Sequence, residues 1–332
     1  MRYHRVPASA LLRAIVRAVL LYWCVLTLTF ALLRLAPGDT ASLLVPPGAS
    51  AADVARLRTQ LGLDRPMAVQ YAHWLGQSLG GNMGTSFAAQ RAVRDVIADA
   101  LPISLGLGIT SLVLSFVIGI AVGLIQAARR GRLDAALTVV SVVLVASPAY
   151  WLGLGAIACF TYLASSWSLP LALRLPAIGI ATPGADLHGV QRFADLVRHA
   201  ILPVCLLSAI GAGGVARYVR TSALDAVGAD WMRTARAKGA DALRLYRRHL
   251  LANLRAPLLT LFALAVPGTV AGSVFVETIF AWPGIGRLMV ASIVARDYPV
   301  VMGCTMMFAA MVIIANLLAE ALLPWADPRI RA

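Results

Sequence analysis

The sequence predicts an all-α membrane protein with six transmembrane helices, on three observations. The 332 residues are 60% hydrophobic and only 13% charged, and the mean hydropathy of +0.79 is too high for a soluble globule. The apolar residues gather into runs long enough for a hydrocarbon core about 30 Å thick, which takes about 20 helical residues to cross. A polar, strongly basic stretch from Arg217 to Arg255 separates two of these runs.

Taken in order, the spans are expected at 14–35, 103–127, 135–163, 199–219, 257–281 and 299–323. Arginines precede the first, as in a signal peptide, but the run from Ala14 to Leu35 is too long for a signal core and no small-x-small cleavage site follows, so it is read as a retained span. The second holds no charge. The third carries Ser147-Pro148 near its middle, a kink that is either a packing feature or part of a moving gate. In the fourth, Gly211, Gly213 and Gly214 leave room for close helix contact. The fifth has Pro267-Gly268 at its middle and Glu277 toward its outer end. An intramembrane acid is costly, so Glu277 is either a functional residue or a carboxylate at the outer interface. Asn316 and Glu320 lie in the sixth.

Between the first two spans, residues 37–101 are expected to form structure of their own. Ser50 with Asp53 makes a capping-box pattern ahead of a helix with Val54, Leu57 and Leu61 on one face and Gly62 as its stop. After Pro66 a second helix sets Met67, Tyr71, Trp74, Leu75 and Ser78 on one face, which suits either a membrane interface or a small packed cap. Residues 165–198, with Pro170, Pro176, Gly179, Pro183 and Gly184, are expected to be irregular. Beyond Trp282 a short amphipathic helix should lie along the outer surface.

Basic residues fix the orientation. With both termini cytoplasmic, the inner segments hold 18 of the 29 Lys and Arg residues and five acids, giving a net +13 against +2 outside; the inverted arrangement breaks the positive-inside rule. The overall charge of +14 is interleaved with spans and forms no single basic face, which excludes a nucleic-acid binder and favours anionic lipid and an acidic partner groove. Cys24, Cys159, Cys205 and Cys304 each fall in an apolar run without C-x-x-C spacing and are expected to be small core residues. The five histidines are scattered, and no H-E-x-x-H, G-x-S-x-G or phosphate-binding G-x-x-x-x-G-K-[ST] occurs. No catalytic, cofactor-binding or metal-binding residue is expected.

The basic stretch holds nine basic residues against three acids, a net of +6. Apolar residues recur at Ala223, Val227, Trp231, Thr234 and Ala235 and again at Leu243, Tyr246 and Leu250, the spacing of amphipathic helix. Gly239 lies between the halves, so a helix, a corner and a second helix are expected. Residues 233–239, R-T-A-R-A-K-G, resemble the coupling loop of ABC-importer permeases of the dipeptide, oligopeptide and nickel family. L-G-L-D-R-P (61–66), Gln70-Tyr71 with Trp74, G-N-M-G-T-S (81–86), V-E-T-I-F-A-W-P-G-I-G (276–286), R-D-Y-P-V-V (296–301) and D-P-R-I-R (327–331) resemble the same family. Asn82, Glu320 and Leu323 depart from its usual aspartate, aspartate and tyrosine.

The resemblance implies a type I ABC-importer permease fold: residues 1–36 as the N-terminus and first span, 37–102 as an extracytoplasmic helical segment, and 103–332 as a five-span core with its coupling loop at 217–255. It implies that Arg233, Thr234, Ala235, Arg236, Ala237, Lys238 and Gly239 meet separate ATPase subunits. Pro148, Pro267, Gly268 and Glu277 are the candidate gate or pathway residues. The implied partners are a homologous second permease, two ATPases, an extracytoplasmic solute-binding protein and a peptide substrate, within the cytoplasmic membrane and without nucleic acid. A permease for nickel or a metal chelate shares these motifs. A self-sufficient secondary transporter is the rival of a different class, expected to show inverted repeats and mid-membrane ionisable residues.

Overall fold

The computed structural model describes residues 8–35, 50–60, 62–170, 173–227, 229–239 and 250–326. Among these every regular element is helical, apart from one isolated antiparallel bridge between Thr85 and Ala92. Five helices are long and apolar enough to cross a membrane, or six if the helix bent by 52° between Asn253–Gly268 and Ser273–Ile279 counts as one span. The chain divides into two compact units, Met1–Pro102 with Leu288–Ile313, and Ile103–Arg287 with Ile314–Ala332.

The first unit is built on α1 (Ala8–Leu35), α2 (Ala51–Gln60) and α3 (Met67–Leu79). At the start of α2, Ser50 Oγ accepts from the Asp53 backbone N–H at 3.2 Å while Asp53 Oδ2 accepts from the Ser50 N–H at 3.2 Å, the reciprocal pair that the sequence indicated. The aromatic stripe of α3 is packing surface: Trp74 stacks on Phe30 of α1 at 5.6 Å, Tyr71 meets the same ring edge-on at 5.3 Å, and the Tyr71 hydroxyl bonds Thr27 at 2.6 Å. Of the two readings open for that stripe, the packed one is seen, and its partner is the first span. Asn82 Oδ1 accepts from the Gly84 N–H at 3.1 Å, so the amide serves the turn. Two motifs far apart in sequence meet at Asp297, which is buried and takes Ser86 Oγ at 2.6 Å and the Ala88 N–H at 3.0 Å.

The second unit contains the apolar length of α4 (Val93–Ala128), then α5 (Arg132–Ala146) and α6 (Ala149–Ile157), which runs on through a π-helical turn, Ala158–Leu163, to Ser166. It continues with α7 (Gly189–Val227), α8 (Asp230–Ala237) and α9 (Leu251–Ile279). Short α10 (Ile285–Val294) and long α11 (Tyr298–Ala326) complete the chain. Helices α4 and α7 approach closely at Gly123, where an added Cβ would stand 2.6 Å from the Ala216 carbonyl oxygen. Below that crossing Val219, Ala223, Leu250, Leu254 and Leu258 form one buried apolar cluster with Leu112 and Phe116 of α4.

At the end of α7, Arg220 grips Asp134 in the first turn of α5 with two bonds, Nε to Oδ1 at 2.6 Å and Nη2 to Oδ2 at 2.7 Å. Two-pronged guanidinium–carboxylate pairs are among the stronger polar contacts. The Arg220 guanidinium, by its hydrogen bond first, holds the Asp134 carboxyl below the usual carboxylate range. A carboxylate depressed in the fold stabilises it fully above its unfolded value, about pH 4, and loses that contribution as the pH falls through the lower folded value. Asp134→Asn should therefore lower the melting temperature of the detergent-solubilised chain at neutral pH, and the gap to wild type should close in strong acid. A gap that persists unchanged at low pH would mean the pair does not act through its charge.

Several expectations are corrected. The third span is not a kinked helix but two helices: Ser147 and Pro148 are both extended (φ −77°, ψ 137° and φ −59°, ψ 131°), because the proline ring also drives the preceding residue out of the helical region. Residues 165–198 are not irregular throughout; α7 begins at Gly189, beyond the last proline, and Asp195 on it accepts from the Thr182 N–H and Oγ1, each at 2.7 Å. Of the cysteines only Cys304 is buried, while Cys24, Cys159 and Cys205 face outward from their helices. The expected second helix after Gly239, at 240–249, and the D-P-R-I-R ending lie outside the described residues.

Candidate functional site

Helix α8 carries five of the seven residues assigned to coupling, Arg233 to Ala237, with Lys238 and Gly239 in the turn that ends it. It starts directly from α7: the Ala229 N–H bonds the Ala226 carbonyl at 3.0 Å, and the Met232 and Arg233 N–H groups return to Ala229 O. Asp230 stands in the first turn, where the positive end of the helix favours an acid, and it pairs with Arg233 at 3.7 Å. Gly239 has φ +81°, and among the described residues nothing lies within 4 Å of where its Cβ would be. What this position demands is a left-handed backbone, which glycine adopts most readily.

The anchor of α8 is Met232, fully buried in the cluster with Val219, Ala223, Leu250 and Leu254. The apolar spacing in the sequence put Thr234 on the buried face and passed over Met232; Thr234 is exposed, and its hydroxyl bonds the Asp230 carbonyl at 2.9 Å. Helix α7 ends at Val227 and α8 begins anew at Asp230, so a period counted on from Ala223 does not find the buried position. With Met232 facing inward, Arg233, Thr234, Ala237, Lys238 and Gly239 are left exposed. Ala235 and Arg236 lie between them on the same helix.

None of the gate candidates lies on α8, and they fall at three places, with Pro267 and Gly268 adjacent in α9. Pro148 separates α5 from α6. Pro267 lies inside α9 at its bend. Gly268 borders a cavity of about 500 Å³ between α4, α7 and α9, whose lining mixes small and apolar side chains with Ser111, Ser115 and Tyr218. The Ser111 hydroxyl oxygen is buried without a hydrogen-bond partner among the described residues, an arrangement that suits a passing polar group better than a sealed core.

Glu277 is fully buried, and four donors converge on it. Oε1 accepts from Ser104 Oγ and Ser273 Oγ, each at 2.8 Å; Oε2 accepts from the Gly286 N–H at 2.8 Å and the Arg287 N–H at 3.2 Å. Ser104 Oγ also accepts from the Ile285 N–H at 2.8 Å. Ser104 and Glu277 thus take the first three N–H groups of α10, donors that a helix cannot satisfy internally. Nothing in the residue pattern singles out Ser104, a hydroxyl among several in a charge-free span.

Fold and site together define a multi-pass, all-helical membrane protein with the type I ABC-importer permease fold. Residues 115–332 match the sequence profile described as binding-protein-dependent transport system inner membrane component, and residues 8–108 match the profile for the N-terminal part of such components. The chain belongs to this family, the permeases of ABC importers. It is 37% identical over 308 residues to a putative peptide permease of Brucella suis biovar 1, covering 92% of this chain and 93% of that one. It is 34% identical to the oligopeptide transport system permease AppB of Bacillus subtilis, over 97% and 99% of the two chains. With the di/tripeptide transport system permease DppB of Pseudomonas aeruginosa the identity is 35%, over 93% and 95%.

Proposed function

We propose that this chain is a non-catalytic transmembrane subunit of an ATP-driven importer, moving di- or oligopeptides across the cytoplasmic membrane by alternating access. The end-to-end similarity to permeases named for oligopeptides and di/tripeptides supports the substrate class. The observation that carries the mechanism is α8, seated by Met232 and exposing Arg233 and Lys238 beside the Gly239 corner. On this reading α8 is the coupling helix: it docks in a groove of an ATPase subunit, whose ATP-driven closure moves it and, through α7 and α9, rocks the spans around the cavity at Ser111, Tyr218 and Gly268. Both termini are cytoplasmic, which puts α8 on the ATPase side. The partners are two ATPases, a homologous second permease and an extracytoplasmic solute-binding protein.

The test is recovery of partners from the native membrane in mild detergent, comparing wild type with Ala235→Glu and Gly239→Asp. Wild type should bring down ATPase subunits and a second permease, and the variants should keep the permease while recovering at least about tenfold less ATPase, since an added acid opposes any acidic groove. A chain that purifies alone and moves peptide into liposomes without ATP would overturn the proposal in favour of a secondary transporter.

A further inference from the structure

We propose that the first unit binds one anionic phospholipid, its phosphate held by Arg34 and Arg65 and the start of an acyl chain lodged in an apolar cavity beside Trp74. Two cavities in this unit adjoin, sharing Arg34 and Trp74 in their linings. One, of about 200 Å³, is largely apolar and bounded by Phe30, Leu33, Trp74, Phe87 and Met302. The other, of about 230 Å³, is largely polar and includes Arg65, Gln70 and His73. No carboxylate lines either one among the described residues, and the charged side chains of the polar cavity are the two arginines, set among the neutral Thr59, Gln60 and Gln70.

The occupant must therefore be anionic at one end and hydrocarbon next to it, and the location says where it comes from. Arg34 is the penultimate residue of α1, at the end of the apolar run Leu12–Leu35, where a spanning helix reaches the headgroup level. Its guanidinium lies 5.4 Å from the Phe30 ring centroid, against an aromatic wall continued by Trp74. That stacking is the usual way an arginine is held ready for a phosphate while its stem stays in apolar surroundings. A phospholipid is the membrane component that carries both parts side by side. The apolar cavity takes the first several methylenes, and the rest of the chain continues into the bilayer. The inference rests on the membrane placement of α1 and is independent of what the protein transports.

The experiment is native mass spectrometry of the full chain, with whatever subunits it retains, in mild detergent with added phosphatidylglycerol, phosphatidylcholine or glycerol 3-phosphate. Wild type should hold one phosphatidylglycerol about tenfold more strongly than phosphatidylcholine, and glycerol 3-phosphate should not displace it. Arg34→Gln with Arg65→Gln should reduce retention by about tenfold; Leu33→Trp, which fills the apolar cavity and keeps both arginines, should reduce it as well. Unchanged helical content by circular dichroism, and unchanged recovery of ATPase subunits, separates this result from a failure of folding or of the coupling proposal. Equal retention of the two lipids, displacement by glycerol 3-phosphate, or undiminished binding in the double arginine variant would each overturn the site. The lipid competition on wild type decides the matter even if a variant does not fold.

Discussion

Replacing Glu277 by leucine should strongly destabilise the folded protein. The substitution keeps roughly the side-chain volume but removes the acceptor for the Ser104 and Ser273 hydroxyls and the Gly286 and Arg287 N–H groups, the first three of these bonds fully buried and the last partly so. A buried donor left without an acceptor costs about 1–3 kcal/mol, and four are affected at once. The melting temperature of the detergent-solubilised chain should fall by on the order of 10 °C or more. Glu277→Gln should be intermediate, since one of its two terminal atoms still accepts. Wild-type melting in the leucine variant would show that the capping network has no energetic role. As part of a transport path the carboxylate would have to exchange these partners for substrate; as observed, Oε1 is taken by the Ser104 and Ser273 hydroxyls and Oε2 by the start of α10.

The second large effect is expected at Gly239, on transport and not on folding. Its φ of +81° is a region that side chains with a Cβ rarely adopt and that β-branched ones adopt least. Because the position is exposed and uncrowded, Gly239→Val should insert and fold normally while tilting the chain that leaves α8. On the coupling proposal, uptake of a labelled dipeptide by cells should fall at least about tenfold, with ATP hydrolysis by the assembled complex continuing. Gly239→Asn should retain more uptake than valine, since asparagine tolerates the left-handed conformation. Equal uptake by wild type and Gly239→Val would remove the corner from the mechanism. Equal loss in the asparagine and valine variants would show that the side chain, and not the backbone turn, is what matters.

What the sequence revealed, and what it hid, divides along physical lines. Hydropathy over 20 residues located the spans because lipid imposes length and apolarity directly on the chain. Local hydrogen bonding was equally legible: the Ser50–Asp53 box, the Gly62 stop and the Asn82 turn all close within a few residues. Contacts set by tertiary packing were not. Met232 is anchored on the far side of an elbow, Ser104 meets Glu277 across 173 positions, and Ser86 meets Asp297 across 211. The outward-facing cysteines show the same limit, because a uniformly apolar run does not record which face meets lipid or a neighbouring subunit. At Pro148 the position of the break is readable but not its length, which the restriction on Ser147 extends to two residues.

The cap on α10 also sets an order of events while the protein is being made. A chain emerging from the ribosome delivers α4 to the membrane long before α9, yet the Ile285 N–H waits for a hydroxyl 181 positions upstream. Until α4 and α9 have come together, the first N–H groups of α10 lack these acceptors. A chain ending before Glu277 lacks the acceptor for the Gly286 and Arg287 N–H groups and, with them, the latch itself.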